Sequence, residues 1–222
     1  MSDKVKIVSI ENCTHDVLKI TAEKPHSICY QPGQAVDVSI NKPGWEQELR
    51  AFTFTSLQED DYIEFTIKTY PAHNGVTAQM RTLQVGDELI IGGVFGDISY
   101  KGEGVFIAGG AGITPFIAIF KDLARKQLMG NNTLLFANKT KADIIDESRF
   151  ASLLGNRFIN VLSDENRAGY EHGFISSDLI HKYQKDYLKY YYLCGPEPMM
   201  NAVEEQLAGL GVKKEQIIRE GF

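Results

Sequence analysis

The chain has 222 residues, a net charge of −6 and a hydrophobic fraction of 43%. This length suits one large domain or two small ones, and the composition is that of a globular rather than a disordered protein. The acidic balance argues against a general nucleic-acid binder and against docking on anionic lipid, because both need a basic surface. No segment is long and apolar enough to span a bilayer. We therefore expect no nucleic-acid partner and no membrane insertion.

Cysteine usage indicates the compartment. The three cysteines, Cys13, Cys29 and Cys194, are widely scattered along the sequence. They are too few for a four-thiolate iron–sulfur or zinc site, and their spacing does not suggest a disulfide framework. No N-terminal stretch resembles a signal peptide. The expected setting is the reducing cytoplasm, and we predict no metal site.

The first part of the chain is typical of short antiparallel strands. Turns such as Pro32-Gly33 and Pro43-Gly44 separate segments rich in β-branched and aromatic residues. One short helix is expected at VTAQMRTL. The six strand segments are VKIVSIEN, DVLKITAE, AVDVSI, RAFTFTS, YIEFTIKTY and DELIIGG. Their number and spacing predict an antiparallel β-barrel over residues 1–99.

From residue 100 onward, buried strands alternate with amphipathic helices. The strands are GVFIA, NTLLFAN, RFINVLS and YYYLCG, and the helices lie in TPFIAIFKDLARKQL, ESRFASLL, ISSDLIHKY and PMMNAVEEQLAGLG. Such alternation predicts a doubly wound parallel sheet. The sequence therefore predicts two domains, a barrel over residues 1–99 and an α/β domain over residues 100–222.

The segment GGAGITPF connects the first strand of the second part to its first helix. Backbone N–H groups and the positive end of a helix dipole favour phosphate at such a turn. Gly110 and Gly112 can take a positive φ and allow close approach, and Thr114 is expected as the N-cap with Pro115 at the first helical position. A tight turn without a ligand explains the glycines equally well. Pro115 stands where the usual dinucleotide fingerprint has its third glycine, which disfavours an ordinary Rossmann dehydrogenase.

Several motifs in a fixed order resemble the ferredoxin–NADP reductase superfamily. They are RAFTFTS, GVTAQM, GGAGITP and CGPEPMM, with EGF at the end of the sequence, and together they cover residues 4–222. The resemblance implies an FAD-binding barrel followed by an NAD(P)H-binding α/β domain. It also implies a flavin-dependent oxidoreductase that passes hydride from NAD(P)H to bound FAD. Electrons then go to a separate acceptor such as ferredoxin, flavodoxin or a small molecule.

The resemblance assigns one group of FAD contacts to RAFTFTS. Arg50 matches the arginine that holds the flavin diphosphate, a role that suits a permanently charged group with parallel donors. Phe52 matches the ring that lies against the isoalloxazine, although the family more often has Tyr there. Thr53 matches the hydroxyl beside flavin N5, and Ala51 lies between these contacts. Without the other motifs, the stretch would be read as a half-buried strand with a surface Arg.

A second FAD contact is implied by GVTAQM. Gly75, Val76 and Thr77 match a diphosphate contact at the start of a helix in the family. A Thr77 that serves only as the N-cap is the alternative.

The last two motifs imply contacts with the nicotinamide. Cys194 matches a cysteine beside nicotinamide C4, and Gly195 and Pro196 match the turn that follows it. A buried small thiol at a strand end is the alternative, and we do not expect Cys194 to act as a nucleophile. Phe222 matches a terminal ring that stacks on the flavin and acts as a gate, and Glu220 matches the carboxylate of that tail. A frayed tail is the competing interpretation.

Ser163 and Asp164, in VLSDEN, bear on the choice between NADH and NADPH. NADPH users in the family often have Ser-Arg here, where both residues hold the 2′-phosphate. Ser163 is retained, but Asp164 repels phosphate and can bond a free ribose hydroxyl. Positive charge could still come from Lys139, Lys141 or Arg167. The sequence favours NADH.

Several roles remain open within this class. The protein could reduce ferredoxin or flavodoxin, serve as the reductase component of an oxygenase, or reduce flavins or quinones. No iron–sulfur module or haem-binding extension accompanies the two domains in the sequence, so we expect the acceptor to be a separate molecule. The alternative is a non-autonomous electron-transfer subunit of a larger redox complex. A nucleotide sensor is disfavoured, since it needs no hydride geometry.

Overall fold

The computed structural model describes residues 2–187 and 189–220. Their first part forms a six-stranded sheet of order β4-β3-β6-β1-β2-β5. Every pairing in this sheet is antiparallel, which confirms the predicted class and the six predicted strands. The strands are β1 (Asp3–Asn12), β2 (Val17–Glu23), β3 (Ala35–Ile40), β4 (Arg50–Thr53), β5 (Tyr62–Lys68) and β6 (Glu88–Phe95).

The two outer strands of this sheet meet and close it into a barrel. Just beyond β4, Phe54 forms an antiparallel bridge with Phe65 of β5, and the Thr55 N–H donates to the Glu64 carbonyl at 2.7 Å. Closure pairs the strand edges that would otherwise remain open. The Phe54 ring is fully buried in the barrel and stacks on Tyr30 with ring centroids 3.9 Å apart.

A short helix covers one end of the barrel core. Helix α1 (Val76–Gln79) continues into a 3₁₀ turn at Met80–Thr82, so the helix predicted at VTAQMRTL is present. Val76 and Met80 are buried against the barrel. The N-cap is Gly75, without a side-chain hydrogen bond. Capping by Thr77 is therefore wrong, because the helix begins one residue before it.

The second part forms a parallel sheet of order β10-β9-β8-β7-β11-β12. Four helices, α2 (Thr114–Arg125), α3 (Glu147–Leu154), α4 (Ser177–Tyr183) and α5 (Glu197–Gly209), cover it. The doubly wound sheet is confirmed. Its strands are β7 (Gly104–Gly109), β8 (Thr133–Asn138), β9 (Phe158–Leu162), β10 (Glu171–His172), β11 (Tyr190–Cys194) and β12 (Ile217–Arg219).

The strand order reverses between β7 and β11. From β7 the chain proceeds through β8, β9 and β10 on one side, and then returns to β11 on the other. In sheets of this kind, a crevice opens at the carboxyl ends of the strands where the order reverses. This switch point lies at Gly109 on β7 and Cys194 on β11.

The two faces of the parallel sheet bury different partners. Phe106, Phe120 and Phe150 belong to a cluster that also contains Val17 and Ile98 from outside the parallel sheet, so this face packs towards the barrel. The opposite face packs on α4 and α5. The connection between β6 and β7 spans residues 96–103, and the domain division at residues 99 and 100 within it stays a prediction. Across the described part of the chain, no helix has both the length and the apolar character needed to cross a membrane.

Replacing Phe54 by Ala should lower the free energy of unfolding by about 3–5 kcal/mol, because the ring is fully buried between Tyr30 and Phe65. Chemical denaturation measures this difference. Phe174→Ala is the matched control, since that ring is 83% exposed, and it should change the value by less than about 0.5 kcal/mol. Equal losses in the two variants would contradict the assignment of Phe54 to the core.

Candidate active site

Arg50 begins strand β4 and its side chain is exposed. Its Nη1 donates to the carbonyl of the adjacent Leu49 at 2.6 Å. Among the described residues, no carboxylate pairs with this guanidinium. A permanently charged fork that lacks a protein counter-ion is suited to binding an anionic group such as a diphosphate.

The residues after Arg50 become more buried along the strand. Ala51 is exposed, while Phe52 is half-buried against the barrel core with its ring 6.4 Å from that of Phe65. Thr53 is buried and pairs with Ala35 of β3. Its hydroxyl has no hydrogen-bond partner among residues 2–187 and 189–220. The hydroxyl is therefore free to bond a ligand atom.

Gly75 lies at the start of α1 and faces open space. No atom would lie within 4 Å of a Cβ added there. Val76 is buried beneath it, and Thr77 is half-buried in the first turn of the helix. The space above Gly75 allows a ligand to approach the backbone closely.

The glycine loop of the second part differs from the expected turn. Residues Gly110–Ile113 form a 3₁₀ turn that runs directly into α2. Thr114 already has helical angles of φ −59° and ψ −45°, and Ile113 precedes it as the N-cap. The prediction of Thr114 as N-cap and Pro115 as the first helical residue is wrong. The 3₁₀ turn winds the chain early, so Thr114 is the first helical residue and Pro115 the second.

Gly110 and Gly112 are needed for different reasons. Gly110 has the expected positive φ, at 52°, and open space beside it. Gly112 has no positive φ, so that part of the expectation is wrong. A Cβ at Gly112 would lie 2.2 Å from the carbonyl oxygen of Cys194 and 2.6 Å from the nitrogen of Gly195. The close approach at Gly112 is thus to the protein's own backbone, across the switch point between β7 and β11.

Cys194 is the last residue of β11 and is 6% exposed. Burial raises the pKa of its thiol to about 12, and the nearby Glu220 carboxylate adds to the effect. The thiol is therefore neutral at neutral pH, as expected for a residue that shapes a pocket rather than acts as a nucleophile. Gly195 packs on Gly109 of the facing loop, and Pro196 is the N-cap of α5.

Glu220 follows β12 and turns its carboxylate towards the end of the barrel. Its Oε1 accepts a hydrogen bond from the Asp97 N–H at 2.9 Å. Its Oε2 is buried and has no partner in the described part of the chain. Burial raises the pKa of this carboxyl, partly offset by the Asp97 hydrogen bond. The structure thus brings Glu220 and Cys194 into electrostatic contact, while Phe222 lies outside the described residues.

Ser163 and Asp164 follow β9 at the same carboxyl edge. The Ser163 hydroxyl donates to Asp164 Oδ1 at 2.6 Å, and the Asp164 side chain is exposed. Of the nearby basic side chains, Arg167 lies 3.0 Å from Glu165 and the Lys141 ammonium lies over the Tyr170 ring, whereas Lys139 is exposed and has no ion pair in the described part of the chain. The Lys139 carbonyl accepts from the Asp164 N–H at 2.9 Å, so a basic and an acidic side chain are both exposed at this edge.

Asn138, the last residue of β8, was not anticipated as a site residue. It is 9% exposed, and neither side-chain polar atom has a partner in the described chain. Its backbone carbonyl accepts from the Ser163 N–H at 3.0 Å. Buried unpaired polar groups are uncommon and point to a missing partner. In the sequence, a polar residue at the end of the apolar run NTLLFAN was the feature that could have indicated Asn138 as a site residue.

Comparisons with known proteins cover both parts of the chain. A family model described as an FAD-binding domain matches residues 2–89, and one described as an oxidoreductase NAD-binding domain matches residues 106–205. The reductase component of propane 2-monooxygenase from Mycolicibacterium smegmatis is 27% identical over 99% of this chain and 67% of its own length. NADH-cytochrome b5 reductase 1 from Pyricularia oryzae is 32% identical over 89% of this chain and 70% of its own length. The chain thus spans about two thirds of the length of these relatives.

The fold also matches a solved structure over almost its full length. A ferredoxin NADP+ reductase from Neisseria gonorrhoeae with bound FAD and NADP has a TM-score of 0.86. It is 18% identical, and the match covers 99% of this chain and 98% of that one. At this identity the likeness concerns the fold.

Replacing Gly112 by Ala should weaken binding of the nicotinamide nucleotide and lower the free energy of unfolding by about 1–3 kcal/mol, because its Cβ would collide with the Cys194 backbone. Titration with NAD+ and chemical denaturation measure the two effects. Gly209→Ala, in α5 with no atom within 4 Å of the added Cβ, is the control. If Gly112→Ala bound NAD+ like the unmodified protein, the packing at the switch point would not shape the site.

Proposed function

The chain belongs to the ferredoxin–NADP reductase superfamily of FAD-dependent NAD(P)H oxidoreductases, and we propose that it takes electrons from NADH and delivers them to a separate redox protein. Two features of the structure support this proposal, one on the barrel and one on the parallel sheet. The barrel has an exposed guanidinium at Arg50 without a counter-ion among the described residues, and the parallel sheet has a glycine-packed switch point at Gly112 and Cys194.

The residues at the barrel edge fit FAD. Arg50 would hold the diphosphate, and the open space at Gly75 would let the same group reach the backbone. The Thr53 hydroxyl, which has no partner among the described residues, would bond the isoalloxazine near N5. Phe52 and Ala51 would lie beside the isoalloxazine ring. Bound FAD accepts two electrons from NAD(P)H and releases them singly, while the protein supplies binding, orientation and shielding.

The edge of the parallel sheet fits the nicotinamide nucleotide. Gly110 and Gly112 would bring the backbone close to its diphosphate, beside Thr114 and Pro115 at the start of α2. Cys194 would present an uncharged thiol to the nicotinamide, with Gly195 and Pro196 forming the turn beside it. A neutral thiol disturbs the charge of the ring less than a thiolate would.

The Glu220 carboxylate would complete this end of the site. Its buried Oε2 lacks a donor among the described residues, so a hydrogen-bonding group of the bound nucleotide would satisfy it. We propose Phe222 as a ring over the flavin solely on the resemblance of the EGF tail to the family's C-terminus.

The relatives support a protein as electron acceptor. One is named as the reductase component of a monooxygenase and another as a cytochrome b5 reductase, and both names describe delivery of electrons to a second protein. We propose that this chain likewise serves a partner redox protein such as a ferredoxin, a flavodoxin or the terminal component of an oxygenase. The cytoplasm is the proposed location, because Cys13, Cys29 and Cys194 are all free.

The direct test is anaerobic reduction of the FAD-loaded protein by NADH, followed by addition of candidate acceptors. We expect loss of the oxidised flavin absorption with NADH and its recovery with a one-electron protein acceptor. Arg50→Gln should bind FAD at least about tenfold more weakly, since it loses the charged contact to the diphosphate. Protein that binds no FAD, or FAD that NADH does not reduce, would contradict the proposed function. Recovery only with free flavins or quinones would contradict the protein acceptor.

Replacing Asp164 by Arg should shift the ratio of kcat/KM for NADH over NADPH towards NADPH by about tenfold or more, because the change removes a repulsive carboxylate and adds a donor for the 2′-phosphate. Steady-state kinetics with both nucleotides measures the ratio. Glu205→Arg makes the same change of charge at an exposed position of α5 and should leave the ratio unchanged. An unmodified protein that prefers NADPH would overturn the choice of NADH.

A further inference from the structure

Lys121 joins the parallel-sheet part of the chain to the barrel through a mostly buried ion pair. The Nζ of Lys121, in α2, lies 2.8 Å from Glu64 Oε1 and donates to the Thr55 carbonyl at 2.5 Å. The side chains of Lys121 and Glu64 are only 18% and 10% exposed. Glu64 belongs to β5 and Thr55 lies just beyond β4, so this ammonium binds at the place where the barrel closes.

The surroundings of Glu64 hold the pair in one geometry. The Thr55 hydroxyl donates to Glu64 Oε1 at 2.8 Å, and the Glu64 N–H donates to Ser56 Oγ at 2.9 Å. A mostly buried ion pair contributes less net stability than apolar packing of similar volume, since both charges lose water. Its directional hydrogen bonds instead specify how the two parts are placed.

Both ends of this contact are close in sequence to the proposed site. Thr55 is two residues beyond Thr53 in RAFTFTS, and Lys121 is seven residues, or about two turns, beyond Thr114 in α2. Four further ion pairs cross between the parts among the described residues: Lys19–Asp146 at 3.7 Å, Arg125–Asp60 at 3.5 Å, Arg125–Glu59 at 3.6 Å and, when the imidazole is protonated, His15–Asp143 at 3.8 Å. All of them are longer than the 2.8 Å from Lys121 Nζ to Glu64 Oε1, so this is the shortest ion pair between the parts in the described chain.

We propose that Lys121 is a positioning residue for electron transfer from the nicotinamide to the flavin. By holding the Thr55 carbonyl and the Glu64 carboxylate against α2, it sets the separation between Thr53 and the Gly110–Gly112 loop. This inference rests on the proposed function. Transfer needs reacting atoms about 3–3.5 Å apart, and a displacement of about 1 Å can slow it about a hundredfold. Loss of Lys121 should therefore slow the reaction and leave the binding of each nucleotide intact.

The test compares three variants with a control. Lys121→Met removes the ammonium, and Glu64→Gln weakens the pair while keeping an oxygen in place. The double variant Lys121→Met/Glu64→Leu removes both charges, so that no buried charge is left without a partner. Lys126→Met is the control, because that lysine ends the same helix and pairs with Asp122 of α2 at 2.8 Å. Each protein is titrated with FAD and with ADP-ribose, and its flavin reduction at saturating NADH is followed anaerobically.

We expect the double variant to reduce its flavin about tenfold or more slowly than the unmodified protein, with both dissociation constants within about threefold. Glu64→Gln should show a smaller loss of the same kind, and Lys126→Met none. Wild-type rates in the double variant would overturn the inference. So would a parallel loss of nucleotide binding and rate, since that indicates a purely structural role. If Lys121→Met or the double variant does not fold, Glu64→Gln carries the test.

Amide hydrogen exchange separates this inference from the proposed function. Removal of Lys121 should speed exchange in residues 53–56 and 114–121, and unchanged protection there would overturn the docking role whether or not NADH reduces the flavin. Failure of the unmodified protein to be reduced by NADH would instead contradict the proposed function. The exchange result comes from the Lys121 variant and the reduction result from the unmodified protein, so neither determines the other.

Discussion

The contact between the barrel and helix α2 is the constraint on which the proposed site depends. In the proposed function the barrel binds one nucleotide and the parallel sheet the other, and the two serve one reaction only if their separation is fixed. The burial of Val17 and Ile98 against the parallel-sheet part supplies contact area. The hydrogen bonds of Lys121 to Thr55 and Glu64 fix the orientation of α2 on the barrel.

The electrostatics differ at the two edges. The barrel presents the exposed cation of Arg50, whereas the parallel-sheet part has Cys194 at the end of β11 and Glu220 after β12, whose pKa values are both raised by burial. A carboxyl whose pKa is higher in the folded than in the unfolded protein stabilises the fold only while protonated. Its contribution is therefore lost as the pH rises from the ordinary glutamate pKa through the folded value. A donor to Glu220 Oε2 would offset that loss, which links this carboxyl to ligand binding.

Local sequence patterns predicted most of the fold. Strand alternation and helical periodicity depend on neighbouring residues, so the barrel strands and the four main helices were found, whereas β10 and β12 are too short to show a pattern. Contacts between residues that are distant in sequence could not be predicted from these local patterns. The need for Gly at position 112 comes from the Cys194 backbone, and Lys121 meets Glu64 across 57 residues of sequence. The 3₁₀ turn at Gly110–Ile113 likewise had no signal in the sequence, and it places the helix start one residue before the predicted one.

The most direct measurement of the central claim is a crystal structure of the protein with FAD and NAD+ bound. We expect diphosphate oxygens of FAD within hydrogen-bonding distance of the Arg50 guanidinium. We also expect the nicotinamide nucleotide along the carboxyl ends of β7 and β11, between Gly112 and Cys194. FAD bound away from Arg50, or a nicotinamide nucleotide outside the edge formed by β7 and β11, would contradict the claim.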